Sequence, residues 1–506
     1  MEAPLVVFIG FMGAGKTSAA RAAASVYGGR AVDADHEIEQ RLGTTISDYF
    51  EAHGEAAFRA VEEEVVCALL ERPPSPVLSL GGGAVGSARV RELLARHTVV
   101  LLDVDVETAW RRAGHKRRPL ARDHDRFIAL HAERAPLYDA VADVVLLDSA
   151  RDHVRAAVPA LRAQRPPGTK LLWATSASGS YPVLVGEGLT AGGHWPVPGR
   201  RFLITDDTVG PLDADALGEV AADLRIPAGE EHKTLATVER LLRALAAAGM
   251  DHDDHVAALG GGVVGDVAGF CAAVYQRGVK VVQVPTTLVA QVDSAYGGKT
   301  GVDLPEGKNY AGAYHQPAAV HVDPSTLATL PQAELAAGWA EVVKTALIAG
   351  GRLWDRVRAG APLDRDLVLA CARTKLAVVA SDERDAGRRQ VLNLGHTVGH
   401  AIETATGYRR YRHGEAVGLG LLAALRLSGG DSLRDKVAAL LADHGLPLTF
   451  DGATVDDVVA LTERDKKRQG GRVRFVLLQS PGDVTAGHDV APDRLRAAVE
   501  EVHAGR

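Results

Sequence analysis

Three histidines fall close together in GHTVGHAIETATGYRRYRHGEAV, residues 395–417: His396 and His400, four apart, and His413 beyond a basic turn that contains tyrosines. A catalytic zinc takes three protein ligands from N, O or S atoms and keeps a fourth position open. Upstream, AAGWAEVVKTALI places Glu341 and Lys344 three apart, on one face of a helix. Glu341, His396 and His413 would supply O, N and N. One carboxylate with two neutral imidazoles leaves a zinc site with a single positive charge, able to polarise a substrate hydroxyl. His396 and His400 could instead both be ligands at i and i+4, although TVG between them lacks the glutamate of an H-E-x-x-H protease. They could also be buried, hydrogen-bonded helix histidines. Spacing alone leaves the three readings open.

A second constellation lies near the N-terminus. GFMGAGKT, Gly10 to Thr17, fits G-x-x-x-x-G-K-[ST], follows the apolar LVVFIG and opens the helical TSAARAAASVYG. In that context the glycines let backbone N–H groups curl round a phosphate at a helix N-terminus. The ATP cradle is then Gly13, Ala14, Gly15, Lys16, Thr17 and Ser18. Lys16 would reach the β- and γ-phosphates and the Thr17 hydroxyl would hold Mg²⁺. Asp33 and Asp35 of VDADHEIE are two apart, so on an extended segment both point to one side. One could serve the metal and the other take a hydroxyl proton.

Polar loops in the second half are less specific. AALGGGVVGDVAGF, 257–270, runs from strand through glycines into helix but is not G-x-G-x-x-G, and reads equally as a tight packing turn. VPTTLVAQVDSAYGGKTGVD, 284–303, carries Thr286, Thr287, Asp293 and Lys299 in a loop too polar for core. GKNYAGAYHQP adds Lys308 and Asn309, and GEEHKT adds Glu230 and Lys233.

The elements that must position these residues follow from pattern. A chain of 506 residues is too long for one ordinary core, so two or three domains are expected. The Pro-rich RAQRPPGTK, 162–170, breaks a helical pattern and puts a boundary near 166. The expected domains are 1–165, 171–330 and 331–506. LVVFIG, PVLSLGGG, TVVLLDV and DVVLLD alternate with amphipathic helices, which implies a parallel sheet covered by helices. Residues 171–330 repeat that alternation with more glycine. Residues 331–506 are mostly helical apart from RVRFVLLQS. The fold class is therefore α/β: an N-terminal P-loop domain with a parallel sheet, then an α/β domain holding the candidate dinucleotide loop, then a mainly helical domain holding the candidate metal ligands. The net charge of -7 argues against general nucleic-acid binding. Three scattered cysteines fit a reducing cytoplasm. No signal-like segment and no membrane-length apolar run is evident, so a cytoplasmic location is expected.

GFMGAGKT, DADHEIEQRLG, HGEAAFRAVEEEV, LSLGGGAV, RRPL and ERAPLYDAVAD stand in the order and spacing of a shikimate kinase, and the resemblance covers about residues 4–162. It implies that Asp33 lies on the magnesium side and that Asp35 contacts shikimate as the base. It also implies that Arg59, Arg134 and Gly81, Gly82 and Gly83 bind shikimate, and that Arg118 of RRPL faces the ATP phosphates. Guanidinium groups at 59 and 134 suit a carboxylate, which they pair bidentately. Either Arg111 or Arg112 is expected beside the adenine.

GEEHK, GGGVVGDVAGF, VPTTLVAQVDSAYGGKTGVD, GKNYAGAYHQP, AEVVK, ERDAGRRQVLNLGHTVGHAIE, HGEAV and DKK resemble 3-dehydroquinate synthase, in order, over about 171–500. The resemblance makes Glu341, His396 and His413 the zinc (or Co²⁺) ligands and sets His400 against the substrate phosphate or its leaving oxygen. The NAD contacts it implies are Asp206, Glu230, Lys233, Gly261, Gly262, Asp266, Thr286, Thr287, Lys308 and Thr329. The implied contacts to the heptulosonate phosphate are Asp293, Lys299, Asn309, Arg277, Lys344, Lys375, Arg389, Asn393 and His400, with Lys466 or Lys467 of DKK. Lys344, His400, Lys299 and Asp293 are the implied catalytic set, beside Asp35, Lys16 and Arg118 of the kinase. Ala295, Tyr296, Asp303, Asp385 and Ala333 depart from the family's usual residues.

The two resemblances together imply a bifunctional enzyme of the shikimate pathway. It would make shikimate 3-phosphate from ATP and shikimate, and 3-dehydroquinate and phosphate from 3-deoxy-D-arabino-heptulosonate 7-phosphate. The cofactors would be NAD, zinc and Mg²⁺ with ATP. The expected partners are small-molecule substrates, no nucleic acid and no membrane, with a homodimer formed through the synthase half. A cyclase of another heptulose phosphate, or an inactive NAD-binding regulatory half, are the alternatives. Arg389, Lys375 and Asn393, which all match the 3-dehydroquinate synthase pattern, speak against the first, and the complete Glu341, His396 and His413 set against the second.

Overall fold

The computed structural model describes residues 5–113, 123–466 and 473–505. They fall into two compact units: 1–175 with 180–184, and 176–179 with 185–506. Arg118 and Lys467 lie outside the described residues.

In unit 1 the strands are β1 (Val6–Ile9), β2 (Ala31–Asp33), β3 (Val77–Ser79), β4 (Thr98–Leu102), β5 (Val144–Leu146), β6 (Lys170–Ser176) and β7 (Gly179–Val185), in the order β2-β3-β1-β4-β5-β6-β7. The pairs from β2 to β6 are parallel. β1 is central and all four of its residues are buried, as a strand covered on both faces requires. Its C-terminal end releases the glycine loop into the Lys16–Tyr27 helix, while Asp33 closes β2 beside it. KLLWATS, just after the boundary expected near 166, pairs in parallel with β5 and buries its apolar residues.

Unit 2 carries β8 (Arg201–Asp206), β9 (Ala222–Ile226), β10 (His255–Gly260), β11 (Lys280–Pro285), β12 (Lys299–Leu304), β13 (Gly307–Tyr314) and β14 (Ala319–Val322). The parallel order is β14-β11-β10-β8-β9, and β12 and β13 form a separate antiparallel pair. Alternate strand residues feed two cores. Phe202, Ile204 and Val256 pack with Val267 and Cys271 of the Gly262–Val274 helix, while Leu203, Ala257 and Leu259 face the other side. Residues 171–330 and 331–506, expected as separate domains, otherwise share this unit.

Three helices of unit 2 meet through glycine: Gln332–Ala349, His396–Ala405 and His413–Ser428. A Cβ on Gly414 would lie 1.8 Å from the Ala337 carbonyl oxygen, and one on Gly420 would lie 1.9 Å from that of Gly395. The backbones are therefore in direct contact, and larger residues there would force the helices apart. Gly418, in the same helix, has only ordinary neighbours, the nearest at 3.6 Å. Gly420→Ala is expected to cost ~3 kcal/mol or more, at the top of the usual range for overpacking. Gly418→Ala should be neutral or stabilising by up to about 1 kcal/mol. The urea midpoint of the unit 2 transition reads both.

Candidate functional sites

In unit 1, Gly13 and Gly15 adopt left-handed φ of 82° and 90°, and Gly13 lies so close to Ala109 that a Cβ would sit 2.1 Å from its carbonyl oxygen. The Lys16 ammonium donates to the Phe11 carbonyl at 3.1 Å, folded over the loop it would share with a phosphate. The Thr17 hydroxyl donates to Asp33 Oδ2 at 2.6 Å. That places a hydroxyl and a carboxylate together, a donor set suited to Mg²⁺. Asp33 and Asp35, expected on one side of an extended segment, are not so placed. The chain enters a helix at Ala34, with the Asp33 side chain capping the Asp35 N–H. Asp35 instead meets Gly81, where a Cβ would stand 2.7 Å from its Oδ1 and 2.8 Å from Glu62 Oε1.

Arg59 and Arg134 converge on the same place. Arg59 packs against Gly83 and donates to Glu62 at 2.5 Å and Glu55 at 3.1 Å, while Arg134 donates to the Gly82 carbonyl at 3.2 Å. Only glycine at 83 leaves room for the guanidinium. The sequence reading missed Glu62 and Tyr138, whose hydroxyl also reaches Gly82 at 2.5 Å. Glu62 stands three residues after Arg59 on one helix face, a spacing that could have flagged it. Burial raises its pKa against the opposing pull of Arg59. Arg112 donates to Ser149 Oγ at 3.1 Å, and Ser149 is the side chain that a Cβ on Gly15 would meet. Arg111 turns back to Thr108 on its own helix.

In unit 2, β8 leads on one side to β9 and on the other to β10, so the strand order reverses between β8 and β10. Ligands of open α/β sheets bind outside the strand ends at such a point. Asp206 ends β8, accepting the Thr208 and Val209 N–H groups at 2.8 Å. Gly261 and Gly262 follow β10, and a Cβ at either would press on Thr287 or Ser294. Thr286 follows β11. The buried Lys233 ammonium pairs with Asp266 at 2.6 Å. Lys308 lies 3.4 Å from Glu230 and 3.1 Å from Glu403. Thr329 donates within its own turn, to Thr326.

The chemistry-bearing side chains converge on the helices that glycine brings together. Glu341 is 1% exposed. His396 Nε2 stands 3.7 Å and His413 Nε2 3.6 Å from Glu341 Oε1. Donors bound at ~2.0–2.1 Å to one tetrahedral zinc are roughly 3.3–3.4 Å apart, so small inward shifts would close these three on an ion. His396 Nδ1 faces the Leu394 carbonyl at 3.2 Å, which can only accept, so Nδ1 carries the hydrogen and Nε2 is left to ligate. His413 Nδ1 faces Glu403 Oε2 at 3.5 Å. The Lys344 ammonium presses against Glu341 Oε2, yet among the described residues neither Glu341 oxygen receives a well-directed hydrogen bond. A buried carboxylate so under-satisfied fits a cation. Burial opposes the Glu341 charge, but Lys344 and the two histidines outweigh it and hold its pKa well below the ordinary range. Burial pushes His396 down to about 3. In His413 burial is outweighed by Glu341 and Glu403, which hold it at about 10.

His400 joins the same cluster, its nearest donor atom within 4.8 Å of those of His396 and His413. It differs from them in two ways. It is exposed, and among the described residues neither of its ring nitrogens has an anchoring acceptor. Around the cluster, Lys375 bonds Asp293 Oδ1 at 3.0 Å and Lys344 stands 3.6 Å from the same atom. Lys299 pairs with Asp385 at 2.5 Å. Arg389 is buried and donates to the carbonyls of Glu383 and Gly297. Asn309 holds φ 57° with its N–H on Asp303 at 2.8 Å, so this aspartate fixes the turn that presents it. Tyr296 is buried, its hydroxyl on the Gln291 carbonyl. Asn393 is exposed, shortly before His396 in the chain. Arg277, at φ 68°, is exposed in the turn after the Gly262–Val274 helix and makes no contact with this cluster among the described residues. Lys466 ends the Val455–Lys466 helix. The sequence reading missed Glu403, although it lies in the quoted GHTVGHAIE stretch, because a lone helix glutamate carries no spacing signal.

Residues 223–337 match the N-terminal and 338–468 the C-terminal domain of 3-dehydroquinate synthase, and 12–162 match shikimate kinase. A curated 3-dehydroquinate synthase of Halorhodospira halophila is 45% identical over 348 residues, covering 65% of this chain and 98% of that protein. The chain belongs to the 3-dehydroquinate synthase family. An N-terminal shikimate kinase domain is fused to that synthase, which makes the chain a bifunctional shikimate-pathway enzyme. Among solved structures, a 2-deoxy-scyllo-inosose synthase with carbaglucose-6-phosphate, NAD⁺ and Co²⁺ is 26% identical with a TM-score of 0.59, covering 66% of this chain and 100% of that one. The 2-epi-5-epi-valiolone synthase of Streptomyces hygroscopicus, with NAD⁺ and Zn²⁺ bound, is 28% identical with the same TM-score, covering 64% and 96%.

The difference between the histidines gives a prediction. His396→Ala should lower zinc affinity by orders of magnitude, since two remaining ligands hold zinc poorly. His400→Ala should keep near-stoichiometric zinc and still bind NAD while losing much of the synthase rate. Metal analysis of both purified variants decides. A zinc-free, folded His400→Ala protein would make His400 a ligand.

Proposed function

We propose that unit 1 transfers the γ-phosphoryl group of ATP to the 3-hydroxyl of shikimate, and that unit 2 converts 3-deoxy-D-arabino-heptulosonate 7-phosphate to 3-dehydroquinate and phosphate with NAD and zinc or cobalt. The observation that carries the reading of unit 2 is the meeting of Glu341, His396 and His413 with Lys344 and Lys375. One carboxylate and two imidazoles suit zinc, and two buried ammonium groups suit an anionic substrate. A zinc ion bound there supplies Lewis-acid polarisation of a substrate hydroxyl. NAD would supply a transient hydride acceptor, and Asp206, Gly261, Gly262, Thr287 and Lys308 would hold it.

The chain's own groups do the rest. Lys344 and Lys375, both against Asp293, hold negative charge on the substrate and keep that aspartate ionised. His400, exposed at the edge of the cluster, faces the substrate phosphate. Arg389 and Asn393 orient the carboxylate end. In the kinase, Thr17 and Asp33 hold Mg²⁺, Lys16 neutralises the transferring phosphoryl group and Asp35 takes the hydroxyl proton. Arg59 and Arg134 hold the shikimate carboxylate, and Arg112, beside Ser149 and Gly15, takes the adenine side. Arg118 and one lysine of DKK, outside the described contacts, complete the two sites. We further propose a cytoplasmic homodimer, in keeping with three buried free cysteines; among the described residues no helix is long and apolar enough to cross a membrane.

Lys16→Ala should lower shikimate phosphorylation by at least about a hundredfold, through loss of charge at the transferring phosphate, and leave phosphate release from the heptulosonate phosphate unchanged. Both activities are assayed on one preparation. A joint loss in a folded variant would contradict independent sites, and absence of either activity in the wild-type protein would overturn that half of the reading.

A further inference from the structure

Glu403 stands out among buried groups that the proposed reaction does not use. It is 2% exposed, on the helix that also carries His396 and His400. Its two carboxylate oxygens address two different parts of unit 2. Oε2 lies 3.5 Å from Nδ1 of His413, the first residue of the next helix. Oε1 lies 3.1 Å from the Lys308 ammonium on β13. Lys308 is held from two further sides, by Glu230 at 3.4 Å and by the Tyr408 ring, whose centroid is 4.7 Å away. Tyr408 is itself tied to Glu403. It sits at φ 57° and donates its N–H to the Glu403 carbonyl at 2.8 Å. One residue thus fixes the ammonium through its carboxylate and through the turn that seats an aromatic face on it.

We propose that Glu403 is a positioning residue that couples metal binding at His413 to dinucleotide binding at Lys308. This rests on the proposed zinc and NAD sites. A ligating imidazole is neutral and needs an acceptor on its other nitrogen, and Glu403 is that acceptor for His413. A metal on Nε2 fixes the ring and so fixes Oε2. The carboxylate is planar, so Oε1 is then held toward Lys308. A Lys308 already ordered for the dinucleotide loses less conformational freedom when it binds. The same chain runs backwards, because coupling between two binding sites is reciprocal. Glutamine at 403 keeps the shape and one acceptor oxygen but cannot pair with the ammonium while also serving the imidazole.

The test uses the full-length protein, stripped of metal by a chelator. NAD⁺ affinity is measured by calorimetry with and without zinc, and zinc affinity by competition with a chromophoric chelator with and without NAD⁺. In the wild-type protein each ligand should tighten the other by the same factor, about fivefold or more. In Glu403→Gln zinc affinity should fall about 10–100-fold, and the mutual factor should fall to near one. Lys308→Met should keep the zinc affinity measured without NAD⁺ and also lose the mutual factor, which a general loss of packing would not produce. Thermal melting checks that each variant is folded. A wild-type factor of one, or a folded Glu403→Gln protein with the wild-type factor, would overturn the coupling. A wild-type protein that binds neither zinc nor NAD⁺ would instead overturn the underlying reading of the two sites.

Discussion

A carboxylate buried to 1% exposure, Glu341, is the constraint around which unit 2 is organised. A lone carboxylate so placed would cost several kcal/mol unless paired. Its neighbours are one ammonium, Lys344, and two imidazoles that point their Nε2 atoms at the same oxygen. The arrangement leaves that carboxylate short of hydrogen bonds, a condition that a divalent cation relieves and that water-excluding packing alone does not. Lys344 is then more than a counter-ion. It lies between Glu341 and Asp293, so the acidic and basic groups form one chain that reaches Lys375.

Holding these groups so close requires helices that touch at the backbone. Gly414 and Gly420 permit it, each against a carbonyl oxygen of a neighbouring helix. The same device recurs in unit 1. Gly81 leaves the space that Asp35 and Glu62 occupy, Gly83 leaves that of Arg59, and Gly13 lets the phosphate loop lie on Ala109. In both units, glycine's missing side chain admits charged groups to the end of a parallel sheet or the crossing of helices. Packing and chemistry are therefore set by the same residues.

The two activities have separate cores and separate charged clusters, and the reactions are not consecutive steps of the pathway. Fusion into one chain fixes equal amounts of the two activities without requiring that an intermediate pass between them.

Much of this was legible in the amino-acid order. The phosphate loop was readable because strand, glycines, lysine and threonine are contiguous, and local backbone geometry suffices to build it. The parallel sheets were readable from short apolar runs between amphipathic helices. The zinc set was different: spacing alone left Glu341, His396, His400 and His413 as competing readings, and the family resemblance chose among them. Only tertiary structure decided what depends on contacts distant in sequence. It set KLLWATS against β5, a strand pairing that no local pattern announces. It turned the chain into a helix at Ala34, which separates the roles of Asp33 and Asp35. It brought Glu62 to Gly81 and Glu403 to both Lys308 and His413. A single glutamate on a helix is indistinguishable in sequence from a solvated one, since its partners are chosen by how the helices cross.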